Sequence, residues 1–402
     1  MNKFKIGLIK EGKTPPDKRV ALSPDKCREL LDTYNNLEIF VQPSEVRAFS
    51  DNEYKEKGIT LKEDLSDCDL LLGIKEVPVS QLIPEKTYMF FSHTIKLQPY
   101  NKKLLKELIA KKIKLVDYEV ITDSKSRRLI GFGKYAGIVG TYNAFLSTGQ
   151  KLGLYDLKPA NKCYDKEEME KELSKIKLPK DFKIIITGDG KVFSGCLEIL
   201  SKLPLKRVSQ DEFLNIQFDE PVYTLLKSVD LYKNIKGIPW DTQYFYTHPE
   251  EYTAIFTPYT KKADLYIACH YWNSKSDVFF TKQDMKDKDF KIQIIADISC
   301  DINGPIPSTI RPSTIDEPVY GYDKLNDVEC SYKDKNAIMV MAVDNLPCEL
   351  SRSASEDFSN QFISNVLPCL LGEDKENIIE RGTITENGIL KENYQYLSSM
   401  LE

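Results

Sequence analysis

The feature that most constrains the fold is a strand, a glycine-rich turn and a helix in direct succession at residues 182–200. The β-branched run FKIIIT has strand length, Gly188 and Gly190 follow at once, and an apolar-periodic helix begins behind them. In this context glycines let a pyrophosphate approach the backbone at a helix N-terminus. The pattern predicts a doubly wound α/β nucleotide-binding unit, with Lys191 and Val192 in the first helical turn also against the cofactor.

The glycine spacing of this turn departs from the usual fingerprint. Phe193 holds the position of the third glycine, and Gly195 follows two residues later. That third glycine normally allows close packing of the helix on the strand, so the spacing leaves this packing open. A glycine-rich turn without a ligand is the alternative interpretation.

The residue that selects between NAD and NADP is expected at the end of the next strand, roughly 20 residues further on. We read that strand as LKRVS, and Asp211 fits the ribose-binding acid by count. Asp211 can equally begin the helix DEFLN, while Lys206 or Arg207 would suit a 2′-phosphate. The sequence leaves both dinucleotides open and slightly favours NAD.

Strand and helix patterns alternate along the first third of the chain. The segments FKIGLI, LEIFV, CDLLLGIK, TYMFFSH and KIKLVDYE have strand signatures, and Ser23 with Pro24 opens a helix between the first two. The strands ADLYIAC, KIQIIADIS and NAIMVMAV follow the glycine turn. We predict an N-terminal substrate domain of residues 1–141 completed by 345–402, and a dinucleotide-binding domain of residues 142–344.

Composition limits the classes of function. A chain of 402 residues with 29% charged residues and a net charge of −5 is ordinary for a soluble enzyme and lacks the basic excess of a nucleic-acid-binding protein. No apolar run approaches the ~18 residues needed to cross a bilayer, so a cytoplasmic protein is expected. The nine cysteines show no CxxC spacing, which predicts neither a disulfide framework nor a metal site.

Candidate acid and base groups follow two of the N-terminal strands. His93 and Lys96 come after TYMFFS, and Lys75 ends CDLLLGIK. Imidazole and ammonium groups at the carboxyl ends of parallel strands suit proton transfer. Arg19, before the first helix, can grip a carboxylate, and Glu119 can pair with Lys75 or Lys96. A structural role for each is the alternative.

Two aspartate-containing turns follow strands of the second domain. Asp297 and Asp301 lie in ADISCDINGPI, and Asp344 precedes Asn345 in MAVDNLP. Carboxylates at strand ends lie where open α/β sheets bind ligands. They are equally typical of turns, so both interpretations stay open.

Several segments together resemble a known family. They are FFSHTIKLQPYNKKLL, LVDYE, RRLIGFGKYAGIVG, TGDGKVFSG, HPEEY, ADISCDINGPI, MAVDNLP and TITENGILKENYQYL. In this order they resemble the lysine-forming saccharopine dehydrogenases. They are most similar to the lysine:2-oxoglutarate reductase half of aminoadipic semialdehyde synthase and its stand-alone bacterial relatives. A more distant resemblance extends to alanine dehydrogenase and transhydrogenase, and implies two Rossmann-like domains with a cleft between them.

The resemblance implies roles for individual residues. Lys75 and His93 match the family's acid/base pair, and Glu119 matches a carboxylate near that lysine. Which of Lys75 and His93 is the base at each step stays open. The other matches are Arg19, Lys96 and Arg128 for substrate carboxylates, Gly188 and Gly190 for the dinucleotide turn, and Asp301 near the cofactor.

The implied activity is NAD(P)-dependent interconversion of saccharopine with L-lysine and 2-oxoglutarate, by hydride transfer and imine hydrolysis or formation. The partners are then these small molecules, with no nucleic acid, membrane or metal, and the oligomeric state stays open. An alanine dehydrogenase-type enzyme is one alternative, against which Lys96 and Arg128 favour a larger charged substrate. A non-catalytic dinucleotide-binding protein is the other, against which the intact Lys75, His93 and Arg19 argue.

Overall fold

A computed structural model describes residues 3–14 and 17–402. Within these residues the strands are, in chain order, β1 (Phe4–Leu8), β2 (Leu37–Val41), β3 (Thr60–Leu61), β4 (Leu70–Leu72), β5 (Thr87–Phe90), β6 (Lys114–Asp117), β7 (Lys183–Thr187), β8 (Lys206–Arg207), β9 (Val222–Leu226), β10 (Tyr232–Asn234), β11 (Tyr252–Ala254), β12 (Leu265–Ala268), β13 (Ile294–Asp297), β14 (Val319–Asp323), β15 (Val328–Cys330), β16 (Ala337–Met341), β17 (Thr383–Glu386) and β18 (Ile389–Leu390).

The α-helices are α1 (Pro24–Thr33), α2 (Asp51–Glu56), α3 (Lys102–Ala110), α4 (Gly133–Leu152), α5 (Lys166–Glu172), α6 (Lys191–Leu200), α7 (Gln210–Asn215), α8 (Ser228–Leu231), α9 (Thr242–Thr247), α10 (Thr257–Thr260), α11 (Lys282–Met285), α12 (Ser351–Asn365), α13 (Leu367–Leu371) and α14 (Ile378–Gly382). Short 3₁₀ helices cover Val79–Gln81, Thr94–Lys96, Pro99–Asn101, Tyr118–Val120, Ala160–Lys162, Leu173–Lys175, Pro249–Glu251, Leu346–Leu350 and Glu392–Met400.

The chain divides into two compact units. Unit 1 comprises residues 1–132 and 351–402, and unit 2 comprises residues 133–350. These bounds differ from those predicted, because α4 is one continuous helix that begins at Gly133 and belongs to unit 2 along its whole length.

The sheet of unit 1 has the order β18-β17-β6-β5-β4-β1-β2-β3. Strands β1 to β6 are parallel, and the hairpin of β17 and β18 adds an antiparallel edge to β6. Successive residues serve opposite faces: Leu70 and Leu72 enter one apolar cluster, and Leu71 enters another. Both faces of the sheet are therefore covered, as parallel sheets require.

Helix α1 forms as the sequence predicted. The Ser23 hydroxyl accepts the N–H of Lys26, Pro24 occupies the first helical position, and Cys27 and Leu30 are buried. The helix connects β1 to its parallel neighbour β2. This arrangement places the carboxyl ends of β1, β4, β5 and β6 along one edge of the sheet.

The sheet of unit 2 has the order β15-β14-β16-β13-β12-β7-β9-β8. Strands β7, β8, β9, β12, β13 and β16 are parallel, whereas β14 and β15 are antiparallel additions. Sequence reasoning missed β9, although VYTLL is a run of strand-forming residues behind Pro221. This omission matters because β9, and not β8, lies beside β7.

Two structural features are absent from the described part of the chain. No helix there is long and apolar enough to span a membrane. Residues 3–14 and 17–402 also contain no group of three or more His, Cys, Asp or Glu side chains that could hold a metal ion.

Candidate active site

Lys75 lies behind β4, where its backbone is held by a carboxylate from the segment that follows the neighbouring strand β1. Glu11, three residues after β1, accepts the N–H of Ile74 at 2.6 Å and that of Lys75 at 3.0 Å. Burial, together with the nearby charge of Asp17, raises the pKa of Glu11 to about 8. The loop that carries Lys75 is therefore anchored to β1 by two hydrogen bonds.

Arg19 and Asp17 form a buried ion pair beside this loop. The guanidinium donates from Nε to Asp17 Oδ1 at 3.0 Å and from Nη2 to Asp17 Oδ2 at 2.6 Å. It also lies 4.1 Å from the ring centre of Phe132. Burial raises the pKa of Asp17, but the charge and the hydrogen bonds of Arg19, with a smaller contribution from the charge of Lys75, outweigh it, and the net shift is downward. Arg19 was predicted to grip a substrate carboxylate, and here its fork engages Asp17.

His93 pairs with a residue to which the sequence had assigned no role. Its Nδ1 lies 2.7 Å from Glu76 Oε1, and Lys13 donates to Glu76 Oε2 at 2.7 Å. Burial raises the pKa of Glu76, but the hydrogen bonds from His93 and Lys13 outweigh it and lower that pKa to about 2. An ionised carboxylate only accepts, so Nδ1 of His93 carries hydrogen and Nε2 of the neutral ring can take a proton. The sequence signal that could have identified Glu76 as a site residue is its position directly after Lys75.

The backbone of His93 is itself unusual. Its φ is 54°, in the left-handed region, and Leu97 at the other end of the short helix Thr94–Lys96 has φ 55°. Such a conformation costs a non-glycine residue roughly 1–2 kcal/mol. Strain of this kind persists only where surrounding contacts determine it, and it clusters at functional sites.

Glu119, Lys96 and Arg128 form a charged cluster in unit 1. Glu119 Oε1 lies 3.4 Å from Lys96 Nζ and 3.3 Å from Arg128 Nη2. The two cations are about half exposed, at 49% and 47%, whereas Glu119 is largely buried. Of Lys75 and Lys96, the two lysines predicted as partners of Glu119, Lys96 forms this ion pair, and a role of Glu119 beside Lys75 stays a prediction. Half-exposed cations of this kind can contact the carboxylate of a small molecule.

The glycine turn of unit 2 follows β7 as predicted. Gly188 has φ +105°, and a Cβ there would lie 2.5 Å from the carbonyl oxygen of Cys269. Gly190 caps α6, and apart from its chain neighbours none of the described residues lies within 4 Å of the place where its Cβ would be. An open glycine at the N-terminus of a ten-residue helix fits a pyrophosphate. The described residues are thus compatible with a dinucleotide at this turn.

Gly195 lies where helix α6 contacts helix α4. Its Cβ would lie 1.9 Å from the carbonyl oxygen of Lys134, and a Cβ on Gly137 would lie 1.8 Å from that of Val192. The two glycines let α4 and α6 pack backbone against backbone. Gly195 therefore serves helix-to-helix packing within unit 2. Lys191 is exposed in the first turn of α6, while Val192 is partly covered.

The topology removes the reason for placing the adenosine ribose at Asp211. Strand β8 lies at the edge of the sheet, and Asp211 falls in the first turn of α7, where it accepts the side-chain N–H of Asn215 at 2.8 Å. Residues 206 and 207 pair with the first two residues of β9, short of its carboxyl end. The strand end beside β7 is that of β9, where Leu226 accepts the N–H of Gly188 at 2.9 Å. Lys227 and Ser228 follow it directly.

The aspartates behind β13 and β16 differ in role. Asp297 is fully buried and accepts hydrogen bonds from Ser299 and Thr309, so it organises its turn. Burial and the charge of Asp297 raise the pKa of Asp301 to about 6. Asp344 is exposed in the loop after β16. Asp301 and Asp344 thus remain candidates for cofactor contact, whereas Asp297 is accounted for by turn formation.

His270 is a further residue that sequence reasoning missed. It follows β12, and its Nδ1 lies 2.7 Å from the Thr187 hydroxyl at the end of β7. Burial lowers the pKa of His270 to about 3, so the ring is neutral at physiological pH. A Cβ on Gly188 would meet the backbone N of His270 at 2.8 Å, so this histidine lies directly against the glycine turn.

These features define a class of protein by fold. The structure superposes on an L-alanine dehydrogenase with a TM-score of 0.63 at 14% identity, covering 99% of this chain and 100% of the other. It superposes on the transhydrogenase from Sinorhizobium meliloti with a TM-score of 0.60 at 11% identity, covering 96% and 100%. The chain has the alanine dehydrogenase-like α/β fold with two mixed sheets. Residues 7–139 match the family model "Alanine dehydrogenase/PNT, N-terminal domain".

Proteins with similar sequences define the class of protein more closely than the fold does. The alpha-aminoadipic semialdehyde synthase of Arabidopsis thaliana is 29% identical over 98% of this chain, and the mitochondrial one of Mus musculus is 28% identical over 99%. The chain spans only 41% and 48% of the length of these two relatives. The saccharopine dehydrogenase [NAD(+), L-lysine-forming] of Emericella nidulans is 26% identical, with 94% of each chain covered. The chain is homologous to these proteins, which confirms the resemblance drawn from its sequence.

Proposed function

We propose that this chain is an NAD(P)-dependent oxidoreductase of lysine metabolism that interconverts saccharopine with L-lysine and 2-oxoglutarate. The observation that carries the proposal is the arrangement behind the adjacent strands β4 and β5, where Glu76, next to Lys75 in the loop after β4, contacts His93 in the loop after β5. Homology to lysine-forming saccharopine dehydrogenases supports the substrate class. In this proposal unit 1 binds the amino and keto acids and unit 2 binds the dinucleotide.

The chemistry requires several proton transfers at one carbon. A bound nicotinamide supplies the hydride acceptor or donor. In the oxidative direction the secondary amine of saccharopine loses its N–H proton, and the adjacent carbon gives up a hydride to that acceptor, which leaves an imine. Water adds to the imine, and the C–N bond of the carbinolamine breaks as its hydroxyl loses a proton and its nitrogen gains one, which gives 2-oxoglutarate and lysine. Nε2 of His93 and Nζ of Lys75 are the groups proposed to accept and return these protons. Glu76 keeps the imidazole in the required tautomer.

The substrate's carboxylates need cationic partners. Lys96 and Arg128 share Glu119, and their half-exposed positions are suited to an incoming carboxylate. Arg19 is proposed to bind a substrate carboxylate while it stays in the buried ion pair with Asp17. An alanine dehydrogenase-type reaction is the second candidate, because the solved L-alanine dehydrogenase shares the fold.

One assay separates these candidates. Nicotinamide absorbance is followed with lysine plus 2-oxoglutarate and, separately, with pyruvate plus ammonia, each with NADH and NADPH. Oxidation of NADH or NADPH in the presence of lysine plus 2-oxoglutarate supports the proposal. Oxidation of NADH or NADPH only in the presence of pyruvate plus ammonia supports the second candidate. Dinucleotide binding without turnover on either pair would indicate a non-catalytic protein.

A cytoplasmic location stays a prediction, which cell fractionation tests.

The cofactor turn gives a direct prediction. Gly190→Val adds bulk at a place with no described residue beyond its chain neighbours within 4 Å, so the fold should tolerate the change while the approach of the phosphates is blocked. We expect dinucleotide affinity to fall by at least about tenfold, or ~1.4 kcal/mol. Titration calorimetry measures this, with Gly190→Ala as the graded control that loses less. Unchanged affinity in a folded Gly190→Val protein would make the turn purely structural.

The end of β9 favours NADP(H) in this proposal. Lys227 is exposed behind the strand that neighbours β7, and Ser228 follows it. The carboxylate of Asp230 accepts the N–H of Lys227 at 2.9 Å and so caps the short helix α8. The charged side chain presented at this strand end is therefore a cation, which suits a 2′-phosphate better than a ribose hydroxyl.

Lys227→Glu tests this preference. The variant should raise the Michaelis constant for NADPH by about tenfold, since it replaces attraction to the 2′-phosphate by repulsion, while that for NADH changes little. The matched control is Lys206→Glu on the edge strand β8, which should leave both constants unchanged. Equal effects of Lys227→Glu on NADPH and NADH would contradict the assignment.

A further inference from the structure

A single buried carboxylate organises the segments that carry His93 and Glu119. Asp117 ends β6 and is fully buried. Its Oδ2 accepts the backbone N–H of Ser92 at 2.9 Å and the Ser92 hydroxyl, and its Oδ1 accepts the N–H of Glu119 at 2.8 Å. The Asp117 side chain thus contacts both Ser92, which directly precedes His93, and Glu119, which pairs with Lys96.

The connection continues around His93. The Ser92 hydroxyl lies 2.8 Å from the Thr94 hydroxyl and accepts the Thr94 N–H at 3.2 Å. Behind the histidine, Asn101 donates its side-chain N–H to the His93 carbonyl at 3.1 Å. Ser92 and Thr94 are both fully buried. The left-handed backbone of His93 is therefore held on both sides by buried polar contacts.

Strand pairing explains why this carboxylate is well placed. Strands β5 and β6 are parallel neighbours, with Phe90 opposite Asp117. The chain leaving β5 reaches Ser92 two residues later, within hydrogen-bonding distance of the last side chain of β6. Desolvation raises the pKa of Asp117, and the hydrogen bonds from Ser92 and Glu119 oppose that shift. A buried carboxylate is costly unless it is hydrogen-bonded in this way.

We infer that Asp117 is a positioning residue for the proposed reaction, acting through Ser92 to hold the His93 imidazole against Glu76. Through the N–H of Glu119 it also holds the carboxylate between Lys96 and Arg128. This inference rests on the proposed function, but its geometric part can be tested without any activity. Asp117 itself is assigned no proton transfer.

The main variant is Ser92→Ala, which removes the hydroxyl and keeps the backbone N–H to Asp117. Turnover should fall about 10–100-fold, because small displacements of a reacting group have effects of this size. The Michaelis constant for the dinucleotide should stay the same. Asp117→Asn should act in the same direction, and the double variant should lose less than the product of the two single losses. If Asp117→Asn fails to fold, Ser92→Ala still decides the question.

The control is Thr385→Val in the same sheet. Thr385 is fully buried on β17 and donates its hydroxyl to the Ile113 carbonyl at 2.9 Å. This variant also loses one buried hydrogen bond, and it leaves the Ser92–Asp117 contacts in place. It should lower the melting temperature as Ser92→Ala does, without lowering turnover.

The signal of the His93 ring nitrogens distinguishes a positioning role from a merely structural one, because loss of stability alone would not shift it. The chain has only three histidines, so ¹⁵N-histidine labelling resolves His93 from the others by nuclear magnetic resonance. Ser92→Ala and Asp117→Asn should shift the His93 ring nitrogen signals, and Thr385→Val should not. Unchanged His93 signals in Ser92→Ala, with or without loss of turnover, would overturn the inference. A wild-type protein with no activity, but with shifted His93 signals in Ser92→Ala, would reject the proposed function and keep the positioning role.

Discussion

Replacing His93 by Gln or Lys75 by Met should each lower turnover with lysine and 2-oxoglutarate by roughly 100-fold to 10,000-fold, the usual share of a general acid or base. The reason is geometric: Nε2 of His93 is available for a proton because Glu76 holds Nδ1. Dinucleotide affinity should change little, because both residues belong to unit 1 whereas the glycine turn belongs to unit 2. Steady-state kinetics with calorimetry measures both quantities.

The double variant sharpens this test. Because both groups serve proton transfers at one carbon, it should lose less than the product of the two single losses. The matched controls are His248→Gln and Lys103→Met, both at exposed positions, which should keep near-native turnover. Near-native turnover in both the Lys75 and His93 variants would reject this site and would move attention to Asp301.

The largest expected effect on stability comes from Gly195→Ala. Alanine normally stabilises a helix interior relative to glycine, but here its Cβ would lie 1.9 Å from the Lys134 carbonyl oxygen. Helices α4 and α6 would have to separate, so we expect the free energy of unfolding to fall by at least about 2 kcal/mol. Urea denaturation measures the change.

Ser194→Ala in the same helix is the control for this prediction. Ser194 is exposed, so Ser194→Ala should change the free energy of unfolding of the protein by no more than about 0.5 kcal/mol. A Gly195→Ala protein as stable as the wild type would mean that α4 and α6 tolerate wider separation than the backbone contact implies.

Local patterns predicted much of the secondary structure. The helix after Ser23 begins at Pro24, and the run FKIIIT is the strand β7 followed by the helix α6. These elements depend on short-range effects: a side-chain cap, a proline at the first turn and runs of β-branched residues. Such signals are present in a window of a few residues, so no knowledge of the partners was needed.

The partners of the site residues could not be predicted in this way. Glu76 and His93 are 17 positions apart, and they meet because β4 and β5 are adjacent parallel strands. The contact between Asp117 and Ser92 likewise depends on the pairing of β5 with β6. Strand order is decided by the packing of the whole unit, and it leaves no local mark on the sequence.

The ribose position shows the same limit most clearly. Counting along the chain led to Asp211 behind β8, because that strand comes next in sequence after the glycine turn. In the sheet, however, β9 lies between β7 and β8, so the strand end beside Gly188 belongs to Leu226 and Lys227. Sequence distance is a guide to neighbours only while strands add in chain order.

The sequence by itself determined the α/β class, the glycine turn and the identity of Lys75 and His93 as acid/base candidates, since each follows from local composition and spacing or from family motifs. Only the tertiary structure decided that Glu76 orients His93, that Glu119 pairs with Lys96, and that Gly195 packs α4 against α6. The physical reason is that these contacts join residues brought together by sheet order and helix packing. Those are free-energy minima of a whole folded unit and not of any short segment.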